Sequence, residues 1–311
     1  MRCLVTGASG FVGSNLVHKL VSDGHQVLAV VRQSSNLWRI RGIESQIKFA
    51  YATLDTIHRI GEDICSFKPE VVFHLAWKGG NSRKFLNDDS QAFENIPGSL
   101  ELVRLAHTAF CSRYIFLGSS VEYGKYQQPV HETDVPEPTN LYGLAKLATL
   151  RLSQGLCAQY GMGFVGVRLF WAYGPMDDPL RMIPSVTKKL LARERPSLTP
   201  GEQLWDFLYI DDAVAALVAL ATNDSAEGIF NLGSGRPVSI RDVVSKIRGY
   251  IDPSLELGFG EMPYASDQVM HLEADITRLQ AATGWKPKIG ISEGIRRTVE
   301  WYTKQGVDHG A

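Results

Sequence analysis

Short apolar runs alternate along the chain with longer stretches in which apolar residues recur at helical spacing. The short runs predict β-strands at residues 2–5, 27–31, 47–51, 71–74, 114–117 and 164–167. The longer stretches between them predict helices. Because strand and helix alternate regularly, the sequence predicts a parallel sheet with right-handed crossovers, an α/β fold of the Rossmann-type, doubly wound class.

A glycine-rich turn, TGASGFVG at residues 6–13, separates the first predicted strand from the first predicted helix. In this context Gly7 permits a sharp turn, Gly10 lets the backbone approach a pyrophosphate, and Gly13 lets the helix pack closely on the sheet. The free N–H groups at the start of the helix would attract the anion. The predicted dinucleotide contacts of this turn are Gly7, Ser9, Gly10, Phe11, Val12 and Gly13.

The second predicted strand ends where such folds meet the adenosine ribose of the cofactor. An acidic residue there would accept hydrogen bonds from the 2′-hydroxyl of NAD, but this chain has Arg32, Ser34 and Ser35. A guanidinium and two hydroxyls suit a 2′-phosphate. We therefore expect NADP(H) as the preferred cofactor and NAD(H) as the alternative, unless Arg32 is only a solvated charge at a strand end.

Tyr142 and Lys146 are four residues apart in a stretch with helical character. A tyrosine has an ordinary pKa of about 10, so it needs a nearby positive charge to exchange protons readily at neutral pH. Residues four apart share a helix face, so Lys146 could supply that charge. The spacing is common by chance, but downstream of a dinucleotide turn it favours hydride transfer at a carbonyl or carbinol.

The strand at residues 114–117 delivers two hydroxyls, Ser119 and Ser120, just past its carboxyl end. Open α/β sheets place reactive groups at such ends. Ser119 could hydrogen-bond the reacting oxygen and fix it beside Tyr142, with Ser120 as the nearest substitute. Serines also cap turns, so this role depends on the rest of the site.

Together these segments resemble the extended short-chain dehydrogenases/reductases, the branch that contains nucleotide-sugar epimerases, dehydratases and 4-ketoreductases. Further matching segments follow in order: residues 71–76 (VVFHLA), 95–99 (NIPGS), 168–175 (RLFWAYGP), 206–212 (DFLYIDD) and 231–235 (NLGSG). The resemblance implies that Ser119, Tyr142 and Lys146 are catalytic, with Asn95 helping to organise a water and the lysine. It also implies cofactor contacts from Leu75, Ala76, Tyr142, Lys146 and the backbone near Tyr173.

The residues after Ser119 differ from those of the family's sugar 4,6-dehydratases, which have an Asp-Glu pair there as acid and base. This chain has Ser120 and Val121 instead. Glu122 comes one position late and would point to the other side of an extended segment. Water elimination then lacks an evident acid and base, so the sequence disfavours a dehydratase.

Epimerase and reductase differ in how they use the cofactor. A 4-epimerase holds NAD, oxidises the sugar, lets the keto intermediate rotate and returns the hydride to the opposite face, whereas a reductase draws on exchangeable NADPH. Arg32 favours the reductase, and so does Trp77, which stands where many epimerases have a small residue. Trp77 could restrict sugar rotation or simply pack in the core.

The main prediction is therefore an NADPH-dependent reductase of a nucleotide-linked 4-keto-6-deoxysugar, with Tyr142 as general acid. The first alternative is an NAD-dependent nucleotide-sugar 4-epimerase. The second is a non-catalytic regulator that binds NADP(H).

The expected diphosphate-binding residues of the family are partly replaced. Trp171 stands where the family often has Asn, and Trp205 where it commonly has Arg. A third expected arginine is missing from residues 264–267, although Arg181 and Arg236 could take over, since forked guanidinium donors fit pyrophosphate. The candidate substrate contacts are Trp77, Ser119, Ser120, Trp171, Arg181 and Trp205.

Composition limits the other classes of function. The 311 residues are 44% hydrophobic, enough for a large core, and a net charge of −1 with dispersed basic residues gives no patch for nucleic acid. The four cysteines lack metal-ligand spacing and lie in apolar contexts, so we expect buried thiols and no metal site. No signal-like or membrane-length apolar run is evident, so we expect a cytoplasmic protein without a membrane partner.

Prolines become frequent beyond residue 174 and separate shorter elements. We therefore expect a dinucleotide-binding domain at residues 1–173, with return segments near 206–232, and a smaller substrate-binding lobe at 174–311. Helical patterns at residues 100–109 and 149–160 could pair across a two-fold axis. The family resemblance implies such a homodimer, although the same helices could simply cover the sheet.

Overall fold

The computed structural model describes residues 1–79, 83–126 and 128–305. The strands are β1 (Arg2–Thr6), β2 (Gln26–Val31), β3 (Lys48–Tyr51), β4 (Val71–His74), β5 (Arg113–Ser119), β6 (Gly163–Leu169), β7 (Trp171–Tyr173), β8 (Ser197–Leu198), β9 (Leu204–Tyr209), β10 (Gly228–Leu232), β11 (Pro237–Ser239), β12 (Gly258–Phe259) and β13 (His271–Leu272). The α-helices are α1 (Phe11–Ser22), α2 (Gly61–Phe67), α3 (Ile96–Thr108), α4 (Leu141–Gln159), α5 (Met182–Leu191), α6 (Ile210–Ala221), α7 (Ile240–Ile251), α8 (Thr277–Thr283) and α9 (Ile291–Gln305).

The main sheet has seven strands in the order β10-β6-β5-β4-β1-β2-β3, and every pair is parallel. All six strands predicted from the sequence belong to it, so the predicted Rossmann-type fold class is confirmed. The order runs outward in both directions from β1, which makes the junction of β1 and β4 a topological switch point. Open α/β sheets bind ligands in the crevice outside the carboxyl ends at such a point.

Helices cover both faces of this sheet, so its central strands are buried on both sides. Alternate strand residues enter two core layers. Val5, Phe73 and Ile115 lie in the layer beneath α1 and α6, whereas Leu4 and Phe116 lie in the layer beneath α2, α3 and α4. Strands that are apolar throughout, rather than alternating, are what this double burial requires.

The C-terminal half adds two small sheets beside the main one. Strands β7, β9, β11 and β13 form the larger, and β8 pairs with β12. Helices α5, α7 and α9 pack against one another in this region, while β10 returns to the edge of the main sheet. The predicted boundary between residues 173 and 174 stays a prediction.

Two further expectations concern a homodimer and the absence of a membrane partner. Helices α3 and α4 pack side by side on one face of the sheet, and the predicted homodimer through them stays a prediction. In the described part of the chain, no helix is both long and apolar enough to span a bilayer.

Candidate active site

The glycine turn fits tightly between neighbouring backbone segments. Gly7 has φ 69°, and a Cβ at this position would lie 2.9 Å from the Ala76 nitrogen. A Cβ on Gly13 would lie 2.1 Å from the Gly7 carbonyl oxygen, so α1 can approach the turn only with glycine there. Gly10 is the N-cap of α1 and has no side chain to occupy the first amides, which leaves them available to an anion.

A cavity of about 770 Å³ runs from this turn across the ends of β1, β2 and β4, a size suited to a cofactor. Its lining includes predicted cofactor contacts from three segments: Gly7, Ser9, Gly10, Arg32, Ser35, Leu75 and Ala76. Trp77, predicted as a substrate contact, lines it as well. The glycine cradle and the cavity together fit a bound dinucleotide.

The cavity lining includes Arg32 and Ser35 from the loop after β2, and it also includes Arg39. Ser35 Oγ accepts the Arg32 N–H over 3.2 Å and a hydrogen bond from Ser9 Oγ over 3.3 Å, which joins this loop to the glycine turn. Ser34 is exposed and lies outside the lining that the described residues form. Arg39, which the sequence did not single out, lines the cavity and donates from Nε to the Met176 carbonyl over 2.8 Å.

A buried chain of hydrogen bonds fixes the end of β4 beside the turn. Thr6 Oγ1 accepts the N–H groups of Leu75 and Ala76, each over 3.1 Å, and lies 2.8 Å from His74 Nδ1. His74 Nε2 lies 2.8 Å from Ser99 Oγ on α3. Burial, followed by the charge of Lys146, lowers the pKa of His74 to about 3, so the ring is neutral.

Helix α4 carries Tyr142 and Lys146 into the interior. Asn140 caps the helix by accepting the Gly143 N–H over 2.9 Å, and both side chains then face β5 and are buried. Lys146 Nζ donates to the Leu117 carbonyl over 2.8 Å. Ser119, at the end of the same strand, lies close enough to the Tyr142 phenol to lower its pKa. The three predicted catalytic groups therefore meet at one edge of the sheet.

The electrostatics of this group bear on the expectation that Lys146 acidifies Tyr142. Burial raises the pKa of Tyr142 to about 12, opposed by the Ser119 hydrogen bond and the charge of Arg181, whereas Glu122 raises it further. Burial also lowers the pKa of Lys146 to about 7, opposed by Glu122. Desolvation dominates the pKa of the phenol in this structure, so Tyr142 is protonated at neutral pH, and the lowering of its pKa by Lys146 stays a prediction.

The segment after Ser119 is helical, not extended as the sequence reasoning assumed. Residues Ser120–Tyr123 form a 3₁₀ turn, in which Ser119 Oγ accepts the Val121 N–H over 3.3 Å. Glu122 turns beneath the site, accepts the Ser119 N–H over 2.9 Å and receives Arg168 Nε over 2.9 Å. Because Glu122 is fully buried and bound on both oxygens, it is not a free acid beside Ser119.

Asn95 lies at the end of a π-helix, Gln91–Asn95, that leads into α3. Its side-chain oxygen accepts the Lys78 N–H over 2.8 Å, and its amide donates to Gln91 over 3.2 Å. Asn95 thus shapes the backbone next to Trp77, and its predicted role in organising a water stays a prediction.

The predicted substrate contacts at the other side form an aromatic cluster. The rings of Trp171 and Trp205 lie 4.5 Å apart, and the Arg181 guanidinium lies 4.4 Å from the Trp171 ring centroid. Arg181 also pairs with Asp177 over 3.3 Å. The charge of Arg181 lowers the pKa of the Tyr142 phenol, so this cluster lies within electrostatic range of the predicted catalytic group.

Three other sequence candidates lie elsewhere. The Tyr173 side chain is fully buried and packs on Phe207 and Tyr209 in the core, so only its backbone is available for a cofactor contact. Ser120 is buried, and Arg236 is exposed.

Metal-binding groups are not found among the residues that the structure describes, where no three His, Cys, Asp or Glu side chains cluster suitably. The four cysteines are free thiols. Cys3, Cys111 and Cys157 are buried as expected, whereas Cys65 is only half-buried.

A cavity at the switch point, with a tyrosine, a lysine and a serine at the neighbouring strand ends, is the arrangement of the extended short-chain dehydrogenase/reductase type. The chain belongs to the NAD dependent epimerase/dehydratase family, whose model matches residues 3–233. The family resemblance found in the sequence is thereby confirmed.

Individual relatives are similar over nearly the whole chain. A UDP-glucose 4-epimerase of Mycolicibacterium smegmatis is 29% identical, covering 97% of this chain and 98% of its own. The crystal structure of UDP-glucose 4-epimerase from Thermotoga maritima, with UDP-glucose, superposes with a TM-score of 0.89 at 28% identity, covering 98% of this chain and 99% of its own. MoeE5, solved with UDP-glucose and NAD, gives a TM-score of 0.84 at 27% identity, covering 98% and 99%.

Proposed function

We propose that this protein transfers a hydride at C4 of a nucleotide-linked hexose and that its net reaction is 4-epimerisation. The observation that carries this proposal is that Tyr142, Ser119 and Lys146 meet behind Trp77, which contacts Lys146 and Tyr142 and lines the cavity. The substrate class is supported by the relatives, since one is named UDP-glucose 4-epimerase and two structures hold UDP-glucose.

The chain's own residues would divide the proton chemistry. Ser119 and Tyr142 would both contact the reacting oxygen of the substrate, where the serine would orient it and Tyr142 would take its proton on oxidation and return it on reduction. Taking the proton requires the phenolate, which a charged Lys146 would favour. The raised pKa of Tyr142 means that the resting site holds the proton.

The cofactor proposed for this reaction is a nicotinamide dinucleotide. When bound, it supplies the hydride acceptor and donor. Gly7, Ser9 and Gly10 would contact its pyrophosphate, because they line the cavity where α1 begins without a side-chain cap on its first amides. Arg32 and Ser35 would meet the adenosine ribose.

A second candidate is the NADPH-dependent 4-ketoreduction that the sequence favoured. Arg32, Ser35 and Arg39 line one part of the cavity and would suit a 2′-phosphate. Trp77 packs perpendicular to the Tyr142 ring at 6.3 Å, which leaves less room for a sugar to rotate. A protonated phenol is also the form that a reduction needs. The named epimerases among the relatives favour the first candidate over this one.

The experiment that separates them uses purified protein. The cofactor released by denaturation is identified by mass spectrometry, and UDP-glucose is incubated without added cofactor while UDP-galactose is followed by chromatography. We expect interconversion. Oxidation of NADPH by a nucleotide-linked 4-keto-6-deoxysugar, without interconversion, would support the reductase instead. Tight NADPH binding with neither reaction would favour the non-catalytic regulator.

We also propose a cytoplasmic homodimer in which α3 and α4 form the contact. Leu144 and Leu152 on α4 are each 49% exposed, which supports an apolar contact surface there. Light scattering at several concentrations tests the dimer, and replacing both leucines with lysine should give a monomer.

A further inference from the structure

Trp77 touches both members of the Tyr142 and Lys146 pair. The Lys146 Nζ atom lies 4.0 Å from the centroid of the indole, and the Tyr142 ring stands at 88° to the indole with centroids 6.3 Å apart. A second ring, Phe116, lies 5.0 Å from the same ammonium. The lysine head group is therefore surrounded by aromatic rings and one backbone carbonyl, that of Leu117.

A hydrogen bond to Gln91 fixes the indole of Trp77. Its Nε1 donates to Gln91 Oε1 over 2.6 Å, and the fully buried Gln91 amide donates in turn to the Phe85 carbonyl over 2.9 Å. Gln91 opens the π-helix that Asn95 closes. Such helices occur frequently at functional sites because the extra residue in the turn redirects side chains. Gln91 thus fixes the ring orientation of Trp77.

We propose that Trp77 is a positioning residue that holds Lys146 in its cationic form beside Tyr142. An aromatic face carries negative charge density, and its attraction for an ammonium is strongest where water is excluded. The inference rests on the proposed roles of Tyr142 and Lys146 in hydride transfer. Its test, however, reads the charge of Lys146 directly and needs no reaction.

The other titratable groups that face Lys146 cannot replace this contact. His74 on β4 is neutral, and Tyr142 on the same helix is protonated at neutral pH. Glu122, from the turn after β5, favours the ammonium but shares its charge with Arg168. Since burial lowers the pKa of Lys146 to about 7, a loss of stabilisation changes its charge in the neutral range.

The test is an NMR titration of lysine side chains labelled with ¹³C at Cε, with Lys146 assigned by its loss in Lys146→Met. Trp77→Leu keeps an apolar side chain over the ammonium but removes the ring, so we expect the Lys146 midpoint to fall by about one pH unit. Trp77→Phe retains a ring face and should keep the midpoint near that of the unmodified protein. An unchanged midpoint in folded Trp77→Leu would overturn the proposal.

A matched control separates this effect from general loss of stability. Trp285 is buried, whereas Trp77 is partly buried, and it too donates from its indole, to the Asp212 carbonyl over 3.1 Å, but it lies in the C-terminal region. Trp285→Leu should leave the Lys146 midpoint unchanged, and an equal fall there would contradict the proposal. If Trp77→Leu does not fold, Gln91→Leu frees the indole instead, and we expect a smaller fall in the midpoint; no fall would again overturn the proposal.

The charge measurement and the enzymatic assay can fail independently. If the proposed function holds, the alkaline limb of kcat should move with the Lys146 midpoint in Trp77→Leu. A shifted midpoint in a protein that turns over no nucleotide sugar would support the positioning role and reject the proposed reaction.

Discussion

Arg168 and Glu122 form a fully buried ion pair beneath Ser119, with Arg168 Nε donating to Glu122 Oε2 over 2.9 Å. The other carboxylate oxygen accepts the Ser119 N–H, and the guanidinium lies 4.2 Å from the Tyr123 ring centroid. Burial raises the pKa of Glu122, and the Arg168 charge opposes that rise. The pair therefore fixes the backbone that presents the Ser119 hydroxyl.

Removing one charge of the Arg168 and Glu122 pair should lower the stability of the protein. In Glu122→Gln the Arg168 charge is left buried without a counter-charge, so we expect the free energy of unfolding to fall by about 3–5 kcal/mol. Urea unfolding measures this loss. The double variant Glu122→Leu with Arg168→Met removes both charges and should lose less than Glu122→Gln. Equal stability of Glu122→Gln and the unmodified protein would contradict the role given to the pair.

Replacing Tyr142 with Phe tests the proton-transfer group. Because the ring is kept and only the hydroxyl is lost, cofactor binding should persist while turnover falls by about 10²–10⁴. Initial rates and a fluorescence titration with reduced nicotinamide dinucleotide measure the two quantities. Tyr51→Phe, at a half-exposed ring on β3, serves as the control and should keep full activity. Turnover in Tyr142→Phe equal to the control would refute the assignment.

Arg32→Glu tests whether the charge of Arg32 distinguishes a cofactor with a 2′-phosphate on its adenosine ribose from one without it. A carboxylate there would repel a 2′-phosphate, so we expect the Kd for NADPH to rise at least about tenfold more than the Kd for NADH. Arg41→Glu makes the same charge change at an exposed arginine outside the cavity lining. Equal effects of Arg32→Glu on both cofactors would show that Arg32 does not contact this phosphate.

The lowered pKa of His74 predicts that the protein loses stability as the pH falls below 6.5. Its folded pKa of about 3 lies below the ordinary value of 6.5, so between these values the unfolded chain binds a proton that the folded chain does not. Stability from this group is complete above pH 6.5 and falls by up to ~1.4 kcal/mol per pH unit as the pH drops toward 3.

The measurement compares unfolding free energies at pH 7 and pH 5. His74→Gln should show a shallower decline than the unmodified protein, whereas His58→Gln, at an exposed position, should not. A decline of the same slope in His74→Gln would assign the acid sensitivity to other groups.

Local sequence patterns were enough to predict the glycine turn and the Tyr142 and Lys146 pair, because these features depend on backbone conformation and on short spacing. The sequence predicts the glycine turn from its place between a strand and a helix, and in the structure only glycine fits at Gly7 beside Ala76 and at Gly13 beside the turn. The i, i+4 spacing placed Tyr142 and Lys146 on one helix face. Arg39 and Gln91 were missed, since each acts through a contact with a distant or irregular segment that no spacing marks.

The orientation of Glu122 and the protonation of Tyr142 and Lys146 could be seen only in the tertiary structure. Glu122 was expected to point away along an extended segment, but a 3₁₀ turn folds it beneath Ser119. Lys146 was expected to lower the pKa of Tyr142, but the fold buries both side chains. Burial raises the pKa of Tyr142 and lowers that of Lys146, and its extent depends on every element packed around them.

The sequence by itself determined the sheet and predicted the glycine turn and the Tyr142 and Lys146 pair, because apolar periodicity, glycine sterics and helical spacing are local properties of the chain. Only the tertiary structure decided how Trp77 meets Lys146 and how Arg168 meets Glu122. These contacts join residues far apart in the chain, and their energies depend on the exclusion of water that the assembled fold provides.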